Sequence, residues 1–79
     1  MAPERSALKT LKLLSILEKL GFQRASKRGS HLKLRNIGSI QRCVIVPIHD
    51  EIPHGTLRSI LRQAGIEKEE FLRMLRDEK

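Results

Sequence analysis

Between Ser30 and Arg35 the chain alternates, with Leu32 and Leu34 on one parity and His31, Lys33 and Arg35 on the other. Successive side chains of a β-strand point to opposite faces of its sheet. This segment therefore sends both leucines one way and three basic groups the other. It calls for a sheet covered on one face and open on the other, which antiparallel sheets allow and doubly covered parallel sheets do not. The chain has 79 residues, room for a single domain over 1–79. A chain of that size buries only about 60% of its unfolded surface, so the covering layer must be helices supplied by the chain itself.

The flanking segments supply them. Leu13, Ile16, Leu17 and Leu20 follow the i, i+3, i+4, i+7 rule of one helical face, with Ser6 as a candidate cap and Gly21 as the stop. Phe22–Ser26 then reads as a strand, Lys27–Ser30 as a turn at Gly29, and Asn36–Ser39 as a second turn. Cys43–Ile48 reads as a third strand ended by Pro47, with Val44, Val46 and Ile48 as its packing set and Ile45 and Pro47 on the reverse side. After a loop over His49–Gly55, a helix carries Leu57, Ile60, Leu61 and Ala64 and stops at Gly65. Glu67–Arg76 forms a last helix with Phe71, Leu72 and Leu75 on one side. The expected fold class is α+β, an α-β-β-β-α two-layer sandwich with an extra C-terminal helix over about 67–76; the core spans about 6–66.

Charge narrows the partner. The net charge is +7. Its excess lies in residues 1–49, which hold ten basic and two acidic residues, against six and seven in residues 50–79. Between Glu18 and Asp50 there is no acid. A polyanion suits such a block, because each neutralised phosphate releases counterions. With no Trp or Tyr and only Phe22 and Phe71, base stacking cannot be the main source of affinity. Contact with a phosphate backbone is expected instead. No apolar run approaches a membrane span, no signal peptide is evident, and the single cysteine excludes an internal disulfide. A reducing cytoplasm is the expected compartment, with no membrane partner.

His31 is the residue with chemical potential. It shares the open face with Lys33 and Arg35, and Lys27 and Arg28 lie in the turn just before it. Neighbouring positive charge favours the neutral imidazole. A neutral imidazole beside a docked phosphodiester can take the proton of a ribose 2′-hydroxyl, and cations can stabilise the charge that develops on phosphorus. The same pattern also describes a polar residue on a solvated strand. Spacing alone leaves both open.

Three blocks then arrive in order: Gly29-Ser30-His31, Val46-Pro47-x-His49, and Gly55-Thr56-Leu57-Arg58-Ser59-Ile60-Leu61-x-Gln63-Ala64-Gly65-Ile66. Over about Leu13 to Ile66 the chain resembles the HicA toxin family, also called YcfA-like mRNA interferases. The resemblance implies a double-stranded-RNA-binding-like fold and a small ribonuclease that cleaves mRNA; the imidazole route described above calls for no metal or cofactor. The resemblance also implies a HicB-like antitoxin that covers the active face. By the same resemblance His31 is the catalytic histidine. Lys27, Arg28, Gly29, Ser30, Lys33 and Arg35 are the expected RNA and phosphate contacts.

Other residues carry weaker signals. His49 reads either as an auxiliary acid/base or phosphate contact or as a loop histidine that orders the turn into the following helix. His54 reads as surface, Asp50 and Glu51 as loop charges, and Cys43 as a small buried hydrophobe. Cys43, His49 and His54 lack the close paired spacing of a metal site. A non-catalytic RNA-binding module of the same fold is the alternative function. Such modules cluster lysines at the start of the last core helix, whereas Pro53-His54-Gly55-Thr56-Leu57-Arg58 offers one basic residue.

Overall fold

Leu13, Ile16 and Leu17 lie on the inner face of α1 (Thr10–Lys19) and have no exposed surface. The computed structural model describes residues 8–36, 38 and 42–77. The helix is capped by the backbone of Lys9 without a side-chain bond; Ser6 lies outside the described residues. Thr10 does the fastening instead. Its N–H donates to the Asp50 carbonyl at 3.0 Å, and its hydroxyl donates to the carbonyl of His49. Just before it, β1 (Leu8–Lys9) pairs antiparallel with β5 (Glu51–Ile52), joining Leu8 to Ile52 and Lys9 to Glu51. The expected loop over 49–55 is therefore partly a strand. Two residues are too few to show a period in sequence, and the pairing is long-range. Glu51 serves here as the partner of Lys9, 3.9 Å away.

The main sheet is antiparallel, in the order β2 (Phe22–Arg28), β3 (His31–Asn36), β4 (Arg42–Pro47). Gly21, at φ 100°, turns the chain from α1 into β2. The first hairpin is tighter than expected, because β2 runs on to Arg28 and only Gly29 and Ser30 form the turn. Gly29 has φ 60° and Ser30 a negative φ, the sign pattern of a two-residue type II′ hairpin. A Cβ at Gly29 would meet no atom within 4 Å, so backbone conformation, not crowding, favours glycine there.

β2 is not regular. Arg24 pairs with Leu34 and Ser26 with Lys33, leaving Ala25 as an extra residue in a bulge. A bulge reverses the parity of everything beyond it. Phe22, on one side, enters the core and is 2% exposed, whereas Ser26 and Arg28, on the other, register against Lys33 and His31. Unbroken alternation from Phe22 would send Ser26 and Arg28 toward the helices.

Leu34, Val44 and Val46 have no exposed surface beneath the helices. Ile48, expected among them, is 41% exposed because it lies beyond the end of β4. Cys43 is also exposed. It sits opposite Arg35 on the parity of Ile45 and Pro47, so register overrides the usual burial of its residue type.

The helix α2 (His54–Ala64) ends at Gly65, φ 73°, and buries Ile60, Leu61 and Ala64. It also closes the outer edge of β4. The Gln63 side-chain oxygen accepts the Ile45 N–H at 3.1 Å, and Arg42 donates to the Gln63 carbonyl at 3.4 Å. The last helix, α3 (Lys68–Asp77), adds Phe71, 1% exposed, to the core. Leu72, expected beside it, is 44% exposed. The result is an α+β fold with the α-β-β-β-α layout of double-stranded-RNA-binding-like domains, followed by one more helix.

Candidate nucleic-acid interface

The open face of the sheet is a grid of three rows set by strand register. Arg28, His31 and Pro47 form the first row, Ser26, Lys33 and Ile45 the second, and Arg35 with its partners Gln23 and Cys43 the third. His31 is exposed at the start of β3, directly opposite Arg28 across the hairpin. Lys33 is only half-buried, its stem lying between Ser26 and Ile45 while the ammonium can reach solvent.

A depression of about 560 Å³ opens on this face, lined by Ser26, Lys27, Arg28, His31, Lys33 and Ile45. Among the described residues no carboxylate pairs with Lys27, Arg28, Lys33 or Arg35. Four expected residues, Lys27, Arg28, His31 and Lys33, thus share one concavity. Gly29 and Ser30 are exposed in the adjoining turn. The Ser30 carbonyl accepts the Ile48 N–H at 2.6 Å, which ties that turn to the exit of β4.

Two expected residues stand elsewhere. Arg35 lines a separate depression of about 280 Å³ with Gln23, Arg24 and Ala25. It is four residues from His31 on one strand, about 13 Å at the usual rise. His49 lines a third depression with Lys9, Thr10, Leu11, Leu14, Ile48 and Asp50. Its carbonyl accepts the Thr10 hydroxyl, so its backbone orders the junction with α1. His54 is exposed at the start of α2.

Sequence reasoning missed Ser26 and Ile45 in the main depression. Ile45 was already on the outward parity of its strand, whereas no sequence signal marks the bulge that turns Ser26 outward. Among the described residues there is no group of three or more His, Cys, Asp or Glu able to hold a metal ion. No described helix is long and apolar enough to cross a membrane.

Chemically, the arrangement presents an imidazole flanked by cations, with side chains raised on paired strands rather than on loops. That suits a phosphodiester: cations bind the bridging unit, and the imidazole can move a proton beside it. The fold and site therefore define a small α+β protein of the double-stranded-RNA-binding-like layout with a cationic, histidine-bearing sheet face.

A family model described as the HicA toxin of bacterial toxin–antitoxin systems matches residues 12–66. This is well over half of the chain, and the protein belongs to the HicA toxin family. No curated protein and no solved structure gives a match. Membership makes it a toxin of a toxin–antitoxin system, with an antitoxin as its partner.

Proposed function

We propose that this protein is a metal-independent endoribonuclease toxin that cleaves mRNA in the cytoplasm, with His31 as general base. A HicB-like antitoxin covering the open sheet face would neutralise it. Residues 1–79 act as one domain in this reading, with α3 added to the family core. The observation that supports it is the shared depression in which His31 lies opposite Arg28 and beside Lys27 and Lys33.

The reaction follows from these groups. His31 accepts the proton of a ribose 2′-hydroxyl, and the freed oxygen attacks the adjacent phosphorus. The bond from phosphorus to the 5′-oxygen breaks, giving a 2′,3′-cyclic phosphate and a 5′-alkoxide that takes a proton from water to become the 5′-hydroxyl, while His31 returns its own proton to solvent. Lys27, Arg28 and Lys33 offset the negative charge that builds on the phosphorane-like transition state, helped by N–H groups of the Gly29–Ser30 turn. Arg35 binds RNA from its own depression. His49, in another depression, has no assigned part in this step.

The purified protein should cut single-stranded RNA in EDTA and leave the all-deoxy strand intact. His31→Ala should lower cutting by about 10²–10⁴-fold with little change in thermal midpoint, because the side chain is exposed. Undiminished cutting by that variant would overturn the role of His31. Activity abolished by EDTA would overturn metal independence, and RNA binding without cutting would select the non-catalytic module.

A further inference from the structure

We propose that Gln23, Arg24 and Arg35 form a second phosphate subsite, which takes a phosphodiester flanking the one placed at His31. The inference rests on the RNA reading above and specifies how the substrate lies. It commits to single-stranded RNA running along β3.

Three observations carry it. First, the depression of about 280 Å³ is lined by Gln23, Arg24, Ala25 and Arg35, a set distinct from the residues around His31. Second, the bulge at Ala25 builds it. With one extra residue between Arg24 and Ser26, β2 places Gln23 directly opposite Arg35 while Ser26 and Arg28 serve the neighbouring rows. Bulges recur beside functional sites because they re-aim side chains in this way. Third, Arg24 is fixed by a bond from its Nε to the Glu18 carboxylate at 3.2 Å. An arginine already held in place loses less side-chain entropy when an anion docks on it.

Spacing excludes a single shared anion. His31 and Arg35 are separated by about 13 Å, with Lys33 about midway at roughly 7 Å from each. One phosphate cannot touch both ends, but a ribose–phosphate chain spans the distance and meets a cation at each row. The two depressions then become successive stations for one strand. A substrate with a single phosphodiester fills only the His31 station. The bland reading is that Arg24 merely keeps the edge strand β2 from pairing with other chains and that Arg35 is a solvated charge on the central strand. That reading predicts no dependence on substrate length.

A length series of single strands distinguishes the two. All-deoxy oligonucleotides, which lack the attacking hydroxyl, report binding alone. A dinucleoside monophosphate and progressively longer strands are titrated at several salt concentrations, with wild type and the double variant Arg24→Gln/Arg35→Gln. On the longer strands, the magnitude of the log–log salt slope should be smaller in the variant by at least about 0.7, the equivalent of one phosphate contact. Affinity for them should fall roughly tenfold. With ribo-oligonucleotides the wild type should gain in kcat/KM as flanking nucleotides are added, and the variant should lose that gain. Gln23→Ala should show a smaller loss of the same kind. Thermal midpoints check that each variant is folded.

Equal salt slopes for wild type and double variant would overturn the subsite. So would a deficit as large on the dinucleoside monophosphate as on long strands, since the arginines would then act at the His31 phosphate. The two readings fail separately. A wild type that binds but never cuts removes the nuclease and leaves the subsite standing. A nuclease whose salt slope ignores Arg24 and Arg35 removes only the subsite.

Discussion

The two faces of the β2–β3–β4 sheet differ by a one-residue step along each strand and have almost nothing else in common. On the covered face, Leu34, Val44 and Val46 are sealed beneath α1 and α2 together with Ile16, Leu17 and Ile60. On the open face, the same strands present His31, Lys33, Arg35, Cys43 and Ile45. Apolar burial, worth about 1.5–3 kcal/mol for each large side chain, holds the strands in register. The open face adds little to stability and uses that register as a ruler. A small toxin can therefore keep a repulsive set of cations together, because the opposing row of the same strands bears the cost.

This contrast can be broken at defined points. The largest effect is expected on the covered side: Leu34→Ala should cost about 2–5 kcal/mol and lower the thermal midpoint by at least about 10 °C. Its neighbour Lys33→Ala should stay within about 0.5 kcal/mol of wild type yet lose salt-dependent RNA affinity. Paired melting curves and filter-binding titrations read both variants. A Lys33→Ala protein as unstable as Leu34→Ala would erase the distinction between the faces.

A sharper test deletes Ala25. Without the bulge, either Phe22 leaves the core or Ser26 and Arg28 turn away from His31. Burial of Phe22 outweighs the placement of an exposed arginine, so the fold should persist and Arg28 should rotate off the site. RNA cutting should then fall about tenfold or more, equivalent to about 1.4 kcal/mol in the barrier. An unchanged rate would show that the bulge does not position Arg28. The smallest effect belongs to the edge. Gln63→Ala removes the acceptor of the Ile45 N–H and should cost about 1 kcal/mol, seen as a modest shift in denaturant midpoint.

Much of this was legible in the chain. The stripe Leu13, Ile16, Leu17 announced α1, the 31–35 alternation announced β3 and its two faces, and Gly65 marked the end of α2. These are short-range patterns, in which each residue's environment is decided by neighbours within a turn or a pleat. The errors share a different cause. The β1–β5 pair depends on contacts between distant segments, and neither strand is long enough to carry a period. Ile48 continued the β4 parity in sequence but not in space, since the strand ends at Pro47. Cys43 illustrates a conflict of rules: its residue type suggested burial, its parity with Ile45 required exposure, and parity prevailed.

The candidate site divides along the same line. Sequence alone placed His31, Lys33 and Arg35 on one side of one strand, because alternation within a strand is a property of the backbone. It could not say what would stand opposite them. That depended on the bulge at Ala25, which lets Phe22 reach the core and Arg28 reach His31 from a single strand. Arg35 stands apart from the His31 depression because it lies four residues further along β3. Cross-strand neighbours are chosen by register, and register is settled only when the whole apolar face packs at once.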